Sequence, residues 1–136
     1  MYTFLITQDN NIIATERDEI MENSSLSDTL QFIVEKNYAE FDMKDFEATI
    51  SYITPVFGEM HKEVLNMVDD NYKGSYYCYK LPSDSVLVRE AGDVAFNISF
   101  TMTEIVDDEE VEHVRNISKG HLKVSPVNSF KGIPQN

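Results

Sequence analysis

The residues with the most obvious chemical potential are carboxylates. Asp107-Asp-Glu-Glu110, followed by Glu112, is the densest acidic run in the chain. A hard cation such as Ca²⁺ prefers carboxylate oxygens, so this run is the first place to look for one. A calcium loop spaces its acids, however, and adjacent side chains on a turn diverge. The run therefore reads as the solvated tip between two strands. Asp69-Asp70, before Asn71, has the same two readings with weaker odds of a metal. His61, His113 and His121 lack the short ligand spacing of a zinc motif, and Cys78 is the only cysteine. These histidines read as surface or edge residues.

Nucleophile signatures are missing as well. There is no Gly-x-Ser-x-Gly elbow, and none of the five glycines forms a phosphate-cradling loop. Cys78 has only Lys80 beside it, too little to lower a thiol pKa. The expectation is no catalytic residue, no cofactor and no metal. An enzyme would require distant groups such as His61, Asp69 and Ser83 to converge. The aromatic run Tyr76-Tyr77-Cys78-Tyr79 says more. As a strand it places Tyr77, Tyr79 and Leu81 on one face and Tyr76, Cys78 and Lys80 on the other. One face is core. The other offers tyrosine either to cross-strand packing or to a partner.

The elements that hold these residues are extended. Val94, Phe96, Ile98, Phe100 and Met102 alternate without a break against Ala95, Asn97, Ser99 and Thr101. That period of two marks a strand with one buried and one wet face. Residues 46–52 repeat the pattern, with Phe46, Ala48, Ile50 and Tyr52 inward. Residues 2–7 and 12–14 flank an Asp9-Asn10-Asn11 turn and read as a hairpin. Further short strands are predicted at 30–34, 64–68, 75–81, 111–117 and 121–127. Helical signals are few. Residues 15–22 can make about two turns or a polar excursion, and Ser83-Asp84-Ser85 can cap a short helix through Leu87 and Glu90 that Gly92 stops. The fold class predicted is all-β: an antiparallel sandwich, immunoglobulin-like or jelly-roll-like, of about eight or nine short strands with one or two short helices. Residues 1–130 form one domain and 131–136 a flexible tail.

Charge narrows the partners. Among 136 residues, 24 acids against 11 bases give a formal net charge of −13. Phosphate backbones and anionic lipid are bound by clustered Lys and Arg, so neither nucleic acid nor membrane is expected as a partner. The opening MYTFLITQDN has no basic region and no long apolar run, and so does not read as a signal peptide. A single cysteine suits synthesis in a reducing cytoplasm.

Several stretches then resemble a known family. These are Ala14-Thr-Glu-Arg-Asp-Glu-Ile-Met21, Leu30-Gln-Phe-Ile-Val34, Ser51-Tyr-Ile-Thr-Pro-Val56, Tyr79-Lys-Leu-Pro-Ser-Asp84 and Glu90-Ala-Gly-Asp-Val-Ala-Phe-Asn-Ile-Ser-Phe100. In content and order they look like virion structural proteins from tailed phages of Gram-positive bacteria. The layout is also similar to the N-terminal β-sandwich of upper baseplate proteins. The resemblance extends to about Ser125-Pro126-Val127. It implies a virion component, made in the host bacterial cytoplasm, that docks into the tail baseplate and supports host attachment. Other virion proteins would be its partners, and it would form homo-oligomers, trimers or higher. A head fibre or capsid decoration protein would use the same sandwich. A carbohydrate-binding sandwich module is the competing class, with Tyr72, Tyr76 and Phe57 as its suggestive aromatics and no tryptophan.

Overall fold

The computed structural model describes residues 1–25 and 29–127. Its strands are β1 (Tyr2–Ile6), β2 (Ile12–Arg17), β3 (Ile20–Met21), β4 (Leu30–Glu35), β5 (Asn37–Tyr38), β6 (Phe41–Asp42), β7 (Glu47–Ile53), β8 (Met60–Val64), β9 (Asn66–Tyr72), β10 (Tyr76–Lys80), β11 (Gly92–Val106) and β12 (Glu109–Ser125). One sheet runs β2-β1-β4-β10-β9 and the other β3-β12-β11-β7-β8, with β5 and β6 as a separate small ribbon. The two five-stranded sheets pack face to face, so the protein is an all-β sandwich.

The packing follows from alternation. Along β11 the residues Val94, Phe96, Ile98 and Phe100 are buried, while Ala95 and Asn97 between them are exposed. β4 is buried on both faces, as its unbroken Leu-Gln-Phe-Ile-Val composition requires of a central strand. Between the sheets Phe96 meets Phe4 edge to face at 5.1 Å and Phe32 at 5.9 Å. These rings sit in one continuous core with Ile6, Val34, Ile50 and Leu122.

The chain crosses between sheets at both sides of the sandwich. Residues 18–19 carry it from edge strand β2 to edge strand β3. On the opposite side it passes from β8 to β9 through Leu65, which is buried and donates its N–H to the Ala48 carbonyl. The strand predicted at 64–68 is therefore the end of one strand and the start of the next, bent about an inward leucine. Two pairings are parallel, β1 with β4 and β12 with β3, so the sandwich is not wholly antiparallel.

Three further expectations need correction. Residues 15–22 form no helix: Thr15, Glu16 and Arg17 extend β2, and Ile20 begins β3. Between Thr15 and Glu19 no side chain is buried, so a helix there would have no apolar stripe to dock. Residues 83–90 also form no helix. Two separate turns occur, with Ser85 N–H bonding the Pro82 carbonyl and Arg89 N–H bonding that of Val86. Successive Leu87 and Val88 both point into the core from this loop. A 3-10 turn does form elsewhere among the described residues, at Met43–Asp45, capped by the Asp42 carboxylate. Finally, 111–117 and 121–127 belong to one strand of 17 residues. Its ladder with β11 carries a bulge where Asn97 opposes both Ser118 and Lys119, and Lys119 takes a φ of 69°. The bulge absorbs the Ser-Lys-Gly interruption. Gly120 then lies directly opposite Phe96, and its bare Cα leaves room for that ring. The tail expected at 131–136 lies outside the described residues.

Candidate binding surfaces

The acidic run lies at the end of an arm. β7 covers β11 only from Phe96 to Thr101, so residues 102–106 of β11 and 109–113 of β12 pair with each other alone. Asp107 and Asp108, with φ of 54° and 65°, make the two-residue turn at its tip. Glu109 and Glu110 open β12 and point to opposite faces, as alternation demands. The run is thus a solvated tip. On the arm Ile105 is 64 % exposed, and Val106 and Val111 are also exposed, as is Val114 just below it.

The other end of the same ribbon carries a groove of 410 Å³ on the outer face of its sheet, between β8, β7, β11 and β12. Its apolar side chains are Ile53, Met60 and Ala95, with Met60 82 % exposed. Lys62 and Lys119 rim it, and among the described residues no carboxylate lines it. In a chain of net charge −13 that is an unusual local sign. The bulge sets Lys119 into the rim, which sequence spacing had no means of showing. The signal that was available is Ile53, an apolar residue directly after inward Tyr52, and hence on the outer face.

The predicted histidines do not converge. His61 stacks on Tyr52 and bonds Glu59 Oε1 at 3.3 Å; His113 bonds Glu104 Oε1 at 3.1 Å at the base of the arm. His121 pairs with Ala95 on the outer face. Asp69 accepts from the Asn71 N–H, and among the described residues no hydrogen bond joins it to His61 or Ser83. No group of three metal-ligating side chains gathers among the described residues. Tyr72 and Tyr76 sit opposite each other on β9 and β10, whereas Phe57 tips the β7–β8 turn, so these aromatics do not form one platform.

Where polar groups do gather, they hold loops. Glu63 accepts from the Tyr52 hydroxyl at 2.6 Å and the Ser85 hydroxyl at 2.6 Å, pinning residues 82–91 across the sandwich end. Burial first, then the Glu63 bond, pushes the Tyr52 phenol well above its ordinary pKa, so it stays a donor. Glu90 takes the N–H groups of Val56 and Phe57 at 2.8 and 3.1 Å. Burial works to raise its pKa, but those bonds and Arg89 outweigh burial and hold it below the usual carboxylate value. Cys78 is buried and donates to Gln31 Oε1 at 3.3 Å; burial pushes its pKa up to about 11, so the thiol is unionised and inert at neutral pH.

The buried group that sequence reasoning passed over is Arg115. It is 5 % exposed and faces inward from β12. Its guanidinium donates to Asn10 Oδ1 at 2.7 Å and the Thr7 carbonyl at 2.8 Å, and lies 3.7 Å from the centre of the Tyr38 ring. It clamps the β1–β2 turn of one sheet to the second sheet and to the β5–β6 ribbon. Its position in register with Val111, His113 and Ile117 was the available signal.

Scanned against models of known protein families the chain matches none, and no curated protein is significantly similar to it.

Proposed function

We propose that this chain is a non-enzymatic structural subunit of a tailed-phage virion, a sandwich module that docks in the tail baseplate and supports host attachment. The observation that carries the reading is the arm. A two-stranded ribbon is marginal in water on its own, and this one exposes aliphatic side chains on both faces. Such a projection gains its stability when another protein covers it. The sandwich supplies a rigid base, because the arm continues the two longest strands of the core. The resemblance of the Tyr79-to-Asp84 and Glu90-to-Phe100 stretches to virion structural proteins supplies the setting, and other virion proteins are the partners. The acidic surface favours basic partner patches and speeds their encounter.

The test is immunogold electron microscopy of phage particles induced from the bacterium that carries the gene, with antibody against this chain. Gold at the tail tip supports the baseplate reading. Gold on the head replaces it with a head fibre or decoration protein. Particles without gold refute the virion role altogether.

A further inference from the structure

We infer that the arm of one copy docks in the outer-face groove of a second copy, so that the chain associates with itself head to tail. The two surfaces complement each other in charge and in character. Between Glu104 and Glu112 the arm carries six carboxylates and no Lys or Arg, around an exposed Ile105. The groove presents Met60, Ile53 and Ala95 between Lys62 and Lys119. Neither lysine has an ion-pair partner among the described residues.

The two surfaces cannot meet within one molecule. They occupy opposite ends of a single ladder that is paired from Gly92 with Val124 to Val106 with Glu109. Ten residues separate Ala95 from Ile105, or about 30 Å of strand. The arm would have to abandon its ladder to reach its own groove. A contact between different patches on identical chains is heterologous, and it propagates into a closed ring or a filament. This deepens the multi-copy part of the proposed function.

Sedimentation velocity over a concentration series tests it, on wild type, Ile105→Asp and the double variant Lys62→Glu with Lys119→Glu. All three substitutions are at exposed positions, and a thermal melt matching wild type shows that the fold is intact. Wild type should associate, less so at high salt. Each variant alone should weaken association about tenfold or more, because each lacks one half of the contact. Mixed together, the variants should form dimers and nothing larger, since one intact arm still meets one intact groove. Variants that assemble like wild type, or folded variants whose mixture stays monomeric, overturn the contact while leaving the virion role standing. A monomeric wild type overturns it too, and gives the groove to another occupant. Particles that lack the chain, beside a wild type that assembles as described, sink the virion role alone.

Discussion

Gly120→Ala is the substitution whose consequence the structure defines most sharply. A methyl group at position 120 would lie 2.4 Å from one edge carbon of the Phe96 ring and 2.5 Å from the next. Carbon–carbon contact is most favourable at about 3.5–4.0 Å, so the ring must retreat by about 1 Å or more. It has nowhere to go. Phe4 packs on it at 5.1 Å, Phe32 at 5.9 Å, and Phe96 itself is 3 % exposed. Overpacking of this kind costs about 1–3 kcal/mol, and the tight aromatic cage places the effect at the upper end. Alanine's intrinsic advantage over glycine in a strand, roughly 0.5–1 kcal/mol, offsets only part of it. The assay is urea unfolding in a double-mutant cycle with Phe96→Leu. Phe96→Leu alone should destabilise through lost volume, and in that background Gly120→Ala should cost little or nothing. The expected coupling is about 1–3 kcal/mol. Strictly additive effects would show that Gly120 is not there to admit the ring.

Four other outcomes follow from particular contacts. Arg115→Ala should destabilise by about 2–4 kcal/mol in the same assay, because it removes two charge-assisted hydrogen bonds, leaving Asn10 Oδ1 without a donor among the described residues and the Thr7 carbonyl with the Asn10 N–H alone. Tyr79→Phe should stabilise by about 1 kcal/mol, since its buried hydroxyl has no hydrogen-bond partner among the described residues; a lower urea midpoint would contradict this. Asp42 should make the fold acid-sensitive: burial tends to raise its pKa, but the Tyr77 hydroxyl at 2.6 Å and the Lys44 N–H outweigh burial and hold it low. A carboxyl lowered on folding adds stability that is complete above the ordinary range, near pH 4, and fades as pH falls through its folded value. Tyr77→Phe should therefore lose less stability than wild type between pH 5 and pH 3 (roughly that ordinary window), and parallel curves would refute the coupling. Cys78, with its pKa raised to about 11 by burial, should resist a thiol reagent at pH 8 (close to an unperturbed thiol's pKa, about 8.5) until urea unfolds the chain, and its folded-state stability should decline as pH rises towards that value.

How much of this was legible in the residues depends on distance along the chain. The alternation of Val94 to Met102 and of Phe46 to Tyr52 identified two strands of one sheet and their buried faces, because the pleat repeats every two residues whatever packs against it. The Tyr76-to-Lys80 strand, its division into a Tyr77–Tyr79 face and a Cys78 face, and the all-β class were readable for the same reason, as was the solvated tip at Asp107; which face is core was not, and Cys78 is buried too. Local rules stop there. The course of residues 15–22 depended on Glu16 meeting Thr3 and on Ile20 filling the gap between the sheets, both long-range contacts. The 83–90 loop was decided by two long-range anchors: Glu63 accepts from the Ser85 hydroxyl, and Glu90 accepts from the Val56 N–H. A bulge opposite Asn97 carried β12 through Ser118 to Gly120, an interruption that reads as a break in one strand until its partner is known. The groove and the Arg115 clamp were invisible for the deepest reason. Each joins residues from several strands, and a chain alone states which face a residue takes but not which neighbours will share it.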